Sequence, residues 1–370
     1  MITRFEVVGF KGFKNRIVLD FTDVRDYKFN TNCVKDQILN KIVVYGKNAS
    51  GKSNLGLAIF DIVTHLTEKN ITPDVYDYYL NADMDYDNEA ACAEFRYDFR
   101  FGKSNVTYIY HKNSERELLY EEVIIDSKLY FSHDFKENKT TLPGLESSVP
   151  ALNYTFREKN LSLLRYVVNN SKEEDVMQLA LLMQYVSRML WFRSLDENRY
   201  IGYKTDSTDY TQFIFDDDNM SEFEALLNKA GIYEKLTGIE NPSGRKVLYF
   251  NRKNPLPFLK VASNGTKALY TIFYWLKTSK DLSFLFIDEF DAFYHVELSE
   301  AIVKILEQDY RFQTIMTSHN TNLLSNRIMR PDCYFILTTE RLVSFANATE
   351  RELREGHNLE KLYLSGEFDE

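Results

Sequence analysis

The sequence is short of cysteine, of long apolar runs and of positive charge, and each shortage removes a class of protein. Cys33, Cys92 and Cys333 are few, odd in number and widely spaced. Such a set makes neither a disulfide framework nor a metal-ligand spacing, and a reducing cytosol is the simplest compartment. No apolar stretch approaches the length needed to cross a bilayer, so no membrane partner is expected. The opening Met1-Ile2-Thr3-Arg4-Phe5 lacks the charged start and apolar run of a signal peptide, which makes the expected location cytoplasmic. Lys and Arg number 45 against 55 Asp and Glu, a formal charge of −10. That balance argues against a broadly basic surface that coats nucleic acid, while leaving room for a local basic groove acting within a Debye length. Internal repeats and low-complexity tracts are also missing.

What is present is material for a large core. The chain has 370 residues, 44% of them hydrophobic, with 27 Phe and 25 Tyr. That length allows two or three domains, or one large domain with an insertion. The most informative stretch is Gly46-Lys47-Asn48-Ala49-Ser50-Gly51-Lys52-Ser53, which reads G-x-x-x-x-G-K-S. An apolar, β-branched segment, Lys41 to Tyr45, precedes it, and the apolar opening of a helix, Asn54 to Phe60, follows. Strand, glycine-bearing loop and helix are the context in which this pattern cradles phosphates. The glycines let successive N–H groups turn toward phosphate oxygens, and the helix N-terminus adds its positive dipole end. Lys52 is expected to reach the β- and γ-phosphates and Ser53 to place its hydroxyl on Mg²⁺. A nucleoside triphosphate is the implied ligand.

In chain order, residues 2–10 and 16–21 read as strands joined by a turn at Lys11 to Asn15. The helix after the phosphate loop runs to about His65, and residues 70–89 read as a loop with some helix. From Ala90 to about Asp134 the pattern alternates: Glu94 to Phe101, Val106 to Tyr110, Glu121 to Ile125 and Lys128 to Phe131 form an antiparallel meander. Residues 135–160 read as a linker. From Glu173 to Phe192, Val176, Leu179, Leu182, Met183, Val186 and Leu190 recur at helical spacing, and Ser221 with Glu224 reads as a capping box opening another helix. Lys246 to Phe250 and Phe258 to Val261 bracket a proline-bearing turn as a hairpin. A second group of polar residues follows. Phe284 to Ile287 is an apolar strand ending in Asp288 and Glu289, where ligands sit at the carboxyl edge of a parallel sheet. Asp288 suits the Mg²⁺ shell, and Glu289 suits proton acceptance from an attacking water. Arg311 to Ser318 is another β-rich run, and His319 at its end is placed to sense the γ-phosphate or orient water. Ser263, Asn264 and Gly265, before the helical run that starts near Thr266, look like a helix start that offers N–H groups to an anion.

The order of these elements resembles the ABC-type ATPase head of SMC- and RecF-like proteins over residues 1–68 and 246–346. The matching stretches are Phe10 to Lys14 before the loop, the loop itself, Ser263-Asn264-Gly265-Thr266 as signature, Phe284 to Glu289 as Walker B, Phe290-Asp291-Ala292-Phe293 as D-loop, and His319 as switch histidine. Within that group the chain looks like the AAA ATPases of the OLD-like, abortive-infection (RloA-like) type. The resemblance implies an α/β P-loop NTPase head with a parallel core sheet, an antiparallel β subdomain and a mostly helical insertion. The expected division is 1–150 for the first lobe, 151–245 for the insertion and 246–370 for the second lobe. It further implies that ATP is sandwiched in a homodimer, or a higher oligomer, between the phosphate loop of one copy and Ser263, Asn264 and Gly265 of the other, with Asp291 near the same nucleotide. Two departures stand out. Asn264 takes a place where many relatives have glycine, and no glutamine fits a Q-loop, Gln178 and Gln184 falling in the predicted helix and Glu121 or Glu122 being the substitutes. Only about fifty residues follow His319, too few for the Toprim nuclease of OLD proteins, so the expected role is a switch controlling a separate effector from a neighbouring gene, with DNA or a phage-derived molecule as trigger. A DNA-repair or DNA-end-binding ATPase of RecF type is the alternative.

Overall fold

The computed structural model describes residues 1–67, 76–86, 88, 90–150, 152, 161–193, 199–202, 209–292 and 295–368. Its centre is a seven-stranded sheet in the order Arg199–Gly202, Met189–Arg193, Phe284–Asp288, Gln313–Thr317, Lys41–Tyr45, Tyr334–Leu337, Leu342–Ser344. The five inner strands are parallel and the two edges antiparallel. The strands Lys41–Tyr45, Phe284–Asp288 and Gln313–Thr317 are buried at every position. A parallel strand covered on both faces needs continuous apolar sequence, which is why these segments read as runs and not alternations. The Lys52–Thr67 helix crosses the sheet, and at Gly56 a Cβ would stand 2.9 Å from the Phe286 ring and 3.0 Å from Trp191.

A second, wholly antiparallel sheet packs beside it, in the order Lys139–Thr141, Lys128–Asp134, Leu118–Ile125, Ser104–Lys112, Ala93–Phe101, Ile2–Val8, Ile17–Asp20. The two sheets are joined by side chains. Gln313 accepts from the Ile2 N–H at 2.7 Å through Oε1 and donates to the Ile2 carbonyl at 2.9 Å through Nε2, while Tyr185 donates to the same Oε1 at 2.9 Å. Asp61, on the helix after the phosphate loop, accepts from Lys112 at 2.6 Å, Tyr110 at 2.9 Å and Tyr79 at 3.0 Å, all buried. A third, three-stranded sheet comprises Leu236–Glu240, Lys246–Phe250 and Leu256–Pro257.

The α/β layout, parallel core and antiparallel meander agree with the sequence reading. Three local expectations differ. The helix of 173–192 is a 3₁₀ turn and a helix, Met177–Ser187, and then Met189–Arg193 enters the central sheet parallel to Phe284–Asp288. Met189, Leu190, Trp191 and Phe192 are apolar without a break, a pattern that a buried strand and a buried helix share. Residues 161–202 therefore carry helices and also supply one edge of the core sheet. Phe258–Val261 is a short helix, the hairpin partner of Lys246–Phe250 being Leu256–Pro257. Ser221 does not cap its helix: the element starts at Asn219, and Glu224 accepts instead from the Leu236 N–H at 2.6 Å and pairs with Lys235. Among the described residues no helix is long and apolar enough to cross a membrane.

Candidate functional site

The Lys41–Tyr45 strand delivers the chain into the loop, and the Lys52–Thr67 helix takes it away. Both glycines of the motif are required by space. A Cβ on Gly46 would lie 2.4 Å from Ser50 Oγ and 2.6 Å from the Leu337 carbonyl. Gly51 has φ +99°, and a Cβ there would stand 2.9 Å from the ring of Phe13, which the N-terminal turn brings against the loop. Between them Lys47, Asn48 and Ala49 form an exposed crest, with Ala49 left-handed at φ 63°. Lys52 folds back over the loop, donating to the carbonyls of Gly46 at 2.9 Å and Lys47 at 3.3 Å. Burial lowers its pKa, and the charges of Glu289 and Asp288 oppose that shift. Ser50 Oγ is buried inside the loop without a protein partner, a group that a ligand oxygen would satisfy.

The acids stand where the carboxyl ends of neighbouring parallel strands converge beside this loop. Asp288 Oδ2 accepts from Ser53 Oγ at 2.7 Å, and its Oδ1 accepts from Thr317 Oγ1 at 2.7 Å. Thr317 Oγ1 in turn accepts from the Glu289 N–H at 2.7 Å. One hydroxyl thus fixes both the carboxylate of Asp288 and the backbone of Glu289. Glu289 is left-handed at φ 47°, a conformation unusual for a residue with a Cβ and concentrated at functional turns. Its Oε1 lies 3.7 Å from His319 Nε2, facing it without a hydrogen bond. Ser318 Oγ donates to Asp291 Oδ2 at 2.7 Å and accepts from the Asn320 N–H at 2.9 Å. Burial raises the pKa of Asp291, and the Ser318 hydrogen bond works against that rise.

The structure therefore brings together Gly46, Ser50, Gly51, Lys52, Ser53, Asp288, Glu289, Asp291 and His319. It does not bring Ser263, Asn264 and Gly265 to them: among the described residues no hydrogen bond or ion pair connects the two groups. Ser263 caps the Asn264–Thr278 helix, accepting from the Thr266 N–H at 3.1 Å. In front of that helix start lies a separate, open cavity of about 640 Å³, lined also by Ala230 to Ile232 and by His295, Glu297 and Leu298. Phe293, the last D-loop residue, lies outside the described residues.

Sequence reasoning missed Thr317 and Ser318. The available signal was two consecutive hydroxyl residues closing an apolar strand just before His319, and both are fully buried. Glu121, considered for the Q-loop, is committed elsewhere. Its buried carboxyl accepts from Ser162 Oγ at 2.6 Å, the Leu163 N–H at 2.7 Å, the Leu164 N–H at 3.1 Å and Tyr108 at 2.9 Å, which ties it to the start of the Leu163–Asn170 helix. Glu122 accepts from Tyr120 at 2.7 Å, and Gln178 and Gln184 lie on the Met177–Ser187 helix.

Among families of known proteins, residues 41–325 match the one described as "AAA domain, putative AbiEii toxin, Type IV TA system". No curated protein matches the chain. Solved structures that match include an SMC head bound to the C-winged helix domain of ScpA, at 14% identity, 93% and 97% coverage of the two chains and a TM-score of 0.46. Another is the SMC head domain from Thermotoga maritima, at 13% identity, 93% and 98% coverage and a TM-score of 0.43. A third is an Smc head with an extended coiled coil bound to the C-terminal domain of ScpA, derived from Pyrococcus furiosus, at 14% identity, 93% and 96% coverage and a TM-score of 0.47.

Proposed function

The chain belongs to the AAA-domain family whose model spans residues 41–325, and on that premise we propose that it is an ATP-hydrolysing switch that closes as a homodimer around nucleotide and controls a separate effector. The observation that carries the reading is the chain of 2.7 Å hydrogen bonds from Ser53 through Asp288 and Thr317 to Glu289, set against a glycine-bearing loop. The residues fit a magnesium nucleotide. Two oxygen donors, Ser53 and Asp288, already face each other and would hold Mg²⁺, which when bound neutralises charge on the phosphates. The loop N–H groups bind and orient the phosphates, and Lys52 exchanges two loop carbonyls for phosphate oxygens. Glu289 accepts the proton of the attacking water, and His319, facing the same carboxylate, holds that water or the γ-phosphate in place.

Among the described residues Ser263, Asn264 and Gly265 have no hydrogen bond or ion pair to this half-site, and a second copy of the chain supplies them across the nucleotide, with Asp291 beside the join. ATP then shifts an equilibrium between open and closed pairs. We place this switch in the OLD-like, abortive-infection group, acting in anti-phage defence in the cytoplasm. Glu289→Gln is the test: it should bind ATP, release no phosphate and persist as a dimer in ATP on sizing. A monomer under those conditions would rule out the sandwich, and undiminished phosphate release would remove Glu289 from the chemistry.

A further inference from the structure

Among the described residues His319 makes no hydrogen bond of its own; it is exposed and faces Glu289 across 3.7 Å. A ring without a bond is aimed by the backbone on either side of it. On the near side Ser318 is fixed twice, by its N–H to the Val44 carbonyl at 3.2 Å and by its hydroxyl to Asp291. On the far side the chain enters a 3₁₀ turn, Thr321–Leu323, capped by Asn320, whose Oδ1 accepts from the Asn322 N–H at 3.1 Å. That turn is short, and its place depends on what grips it from outside.

Two side chains distant in sequence supply that grip. Tyr45, the last residue before the phosphate loop, donates through its hydroxyl to the Asn320 carbonyl at 3.2 Å. Glu360 accepts from the Thr321 hydroxyl at 3.0 Å. It lies on Leu359–Leu364, a helix of six residues capped by Asn358, which accepts from the Lys361 N–H at 2.8 Å. One turn further along that helix, Tyr363 sets its ring 6.1 Å from that of Tyr45 and stacks on Phe345 at 5.9 Å. So short a helix is marginal alone and is held by its contacts. Its approach is anchored to the same stretch of chain, because buried Asn326 donates through Nδ2 to the carbonyls of Arg354, Glu355 and His357 at 2.9, 3.2 and 3.1 Å. Among the described residues no hydrogen bond or ion pair joins residues 354–368 to Gly46–Ser53, Asp288 or Glu289. This segment therefore acts on the site through Tyr45 and the Thr321–Leu323 turn.

We propose that Tyr45 and Glu360 are positioning residues for His319, and that the Leu359–Leu364 helix is the clamp that keeps its ring on the Glu289 carboxylate. Each bonds to the turn after the histidine, and neither reaches the acids themselves. With either bond gone, the turn stays fixed firmly only at its Ser318 end and the ring loses its aim. Lost aim slows the chemical step, which needs the reacting groups in register, and leaves binding of the phosphates by the loop alone. The inference rests on the ATPase reading for the part that His319 plays, and deepens it by naming what sets that residue in place.

The test is phosphate release by the full chain carrying Glu360→Ala, Glu360→Gln or Tyr45→Phe, each made also in a His319→Ala background. Glu360→Ala and Tyr45→Phe should each lower kcat about tenfold, the rate equivalent of one hydrogen bond, with KM for ATP held within a factor of about two. Glu360→Gln keeps an acceptor for Thr321 and should restore most of the rate. In the His319→Ala background none of the three should slow the chain further, because a positioning residue has nothing left to position. Losses that add to that of His319→Ala, a change confined to KM, or a Gln variant as slow as Ala would each overturn the proposal. Hydrogen exchange read by mass spectrometry over residues 318–326 gives a measure free of turnover. The Asn322 and Leu323 N–H groups should exchange at least ~10-fold faster in Glu360→Ala and in Tyr45→Phe. Unchanged exchange with an active parent chain overturns this proposal alone, whereas a parent chain that releases no phosphate overturns the ATPase reading and the clamp's purpose with it.

Discussion

Replacing Thr317 by Val keeps the shape of the side chain and removes the hydroxyl that Asp288 and Glu289 share. Two buried groups then lose their partner: Oδ1 of Asp288, where the bond is charge-assisted, and the N–H of Glu289. A buried group left unpaired costs ~1–3 kcal/mol, so ~2–6 kcal/mol of stability is at stake for the two. At the entropy of unfolding per residue typical of globular proteins, that is a fall in Tm of about 3–8 °C for a chain of this length. The chemical effect is larger, because Glu289 is held left-handed by that bond and small misplacements of a reacting group cost ~10²-fold in rate. Thr317→Ser is the control: it keeps the hydroxyl and loses one methyl, a change of ~1 kcal/mol. The assay is phosphate release under saturating ATP, with thermal melting alongside. Val should lose turnover about a hundredfold while Ser stays within a few-fold of the parent chain. Equal losses in both variants, or an active Val variant, would refute the role given to this hydroxyl.

Three further outcomes follow from the same geometry. Gly46→Ala drives a Cβ to within 2.6 Å of the Leu337 carbonyl, so nucleotide affinity should fall at least ~10-fold by equilibrium dialysis, and unchanged affinity would mean the loop does not hold phosphate in this conformation. Lys112→Met leaves the buried Asp61 carboxylate with only its two tyrosine donors, and denaturant unfolding should show a loss of ~3–5 kcal/mol; a loss below ~1 kcal/mol would show that this ion pair does not hold the helix to the sheet. Burial pushes the Glu307 carboxyl up to about 7. Its folded pKa exceeds the unfolded value of roughly 4.3, so the folded state holds the extra proton between them and stability falls as pH rises through that window, by up to ~4 kcal/mol. Glu307→Gln should flatten this slope in unfolding curves taken from pH 5 to 8, and an unchanged slope would place the titration elsewhere.

How much of this was legible in the sequence depended on whether a feature was local. The phosphate loop, Asp288, Glu289 and the meander were readable because glycine spacing, strand-ending acids and alternation are properties of contiguous residues. Thr317 was not, since its role lies in standing one strand away from Asp288, and adjacency across a parallel sheet has no mark in the chain. Met189–Arg193 was misread as helix for a related reason: continuous burial erases the periodicity that separates strand from helix. Glu121 was offered, with Glu122, as the substitute for a Q-loop glutamine, and only the Leu163–Asn170 helix, more than forty residues on, explains why a carboxyl is buried there.

The Gln313–Thr317 strand is five residues long, about 17 Å from end to end. Its first residue is gripped by the backbone of Ile2 and the hydroxyl of Tyr185, and its last grips Asp288 and Glu289. A strand hydrogen-bonded on both sides does not stretch, so it works as a tie-rod between the antiparallel sheet and the acids. Any sliding of one sheet against the other would be delivered lengthwise to the residues proposed to hold the nucleotide, and any resettling of those residues would be returned along the same line.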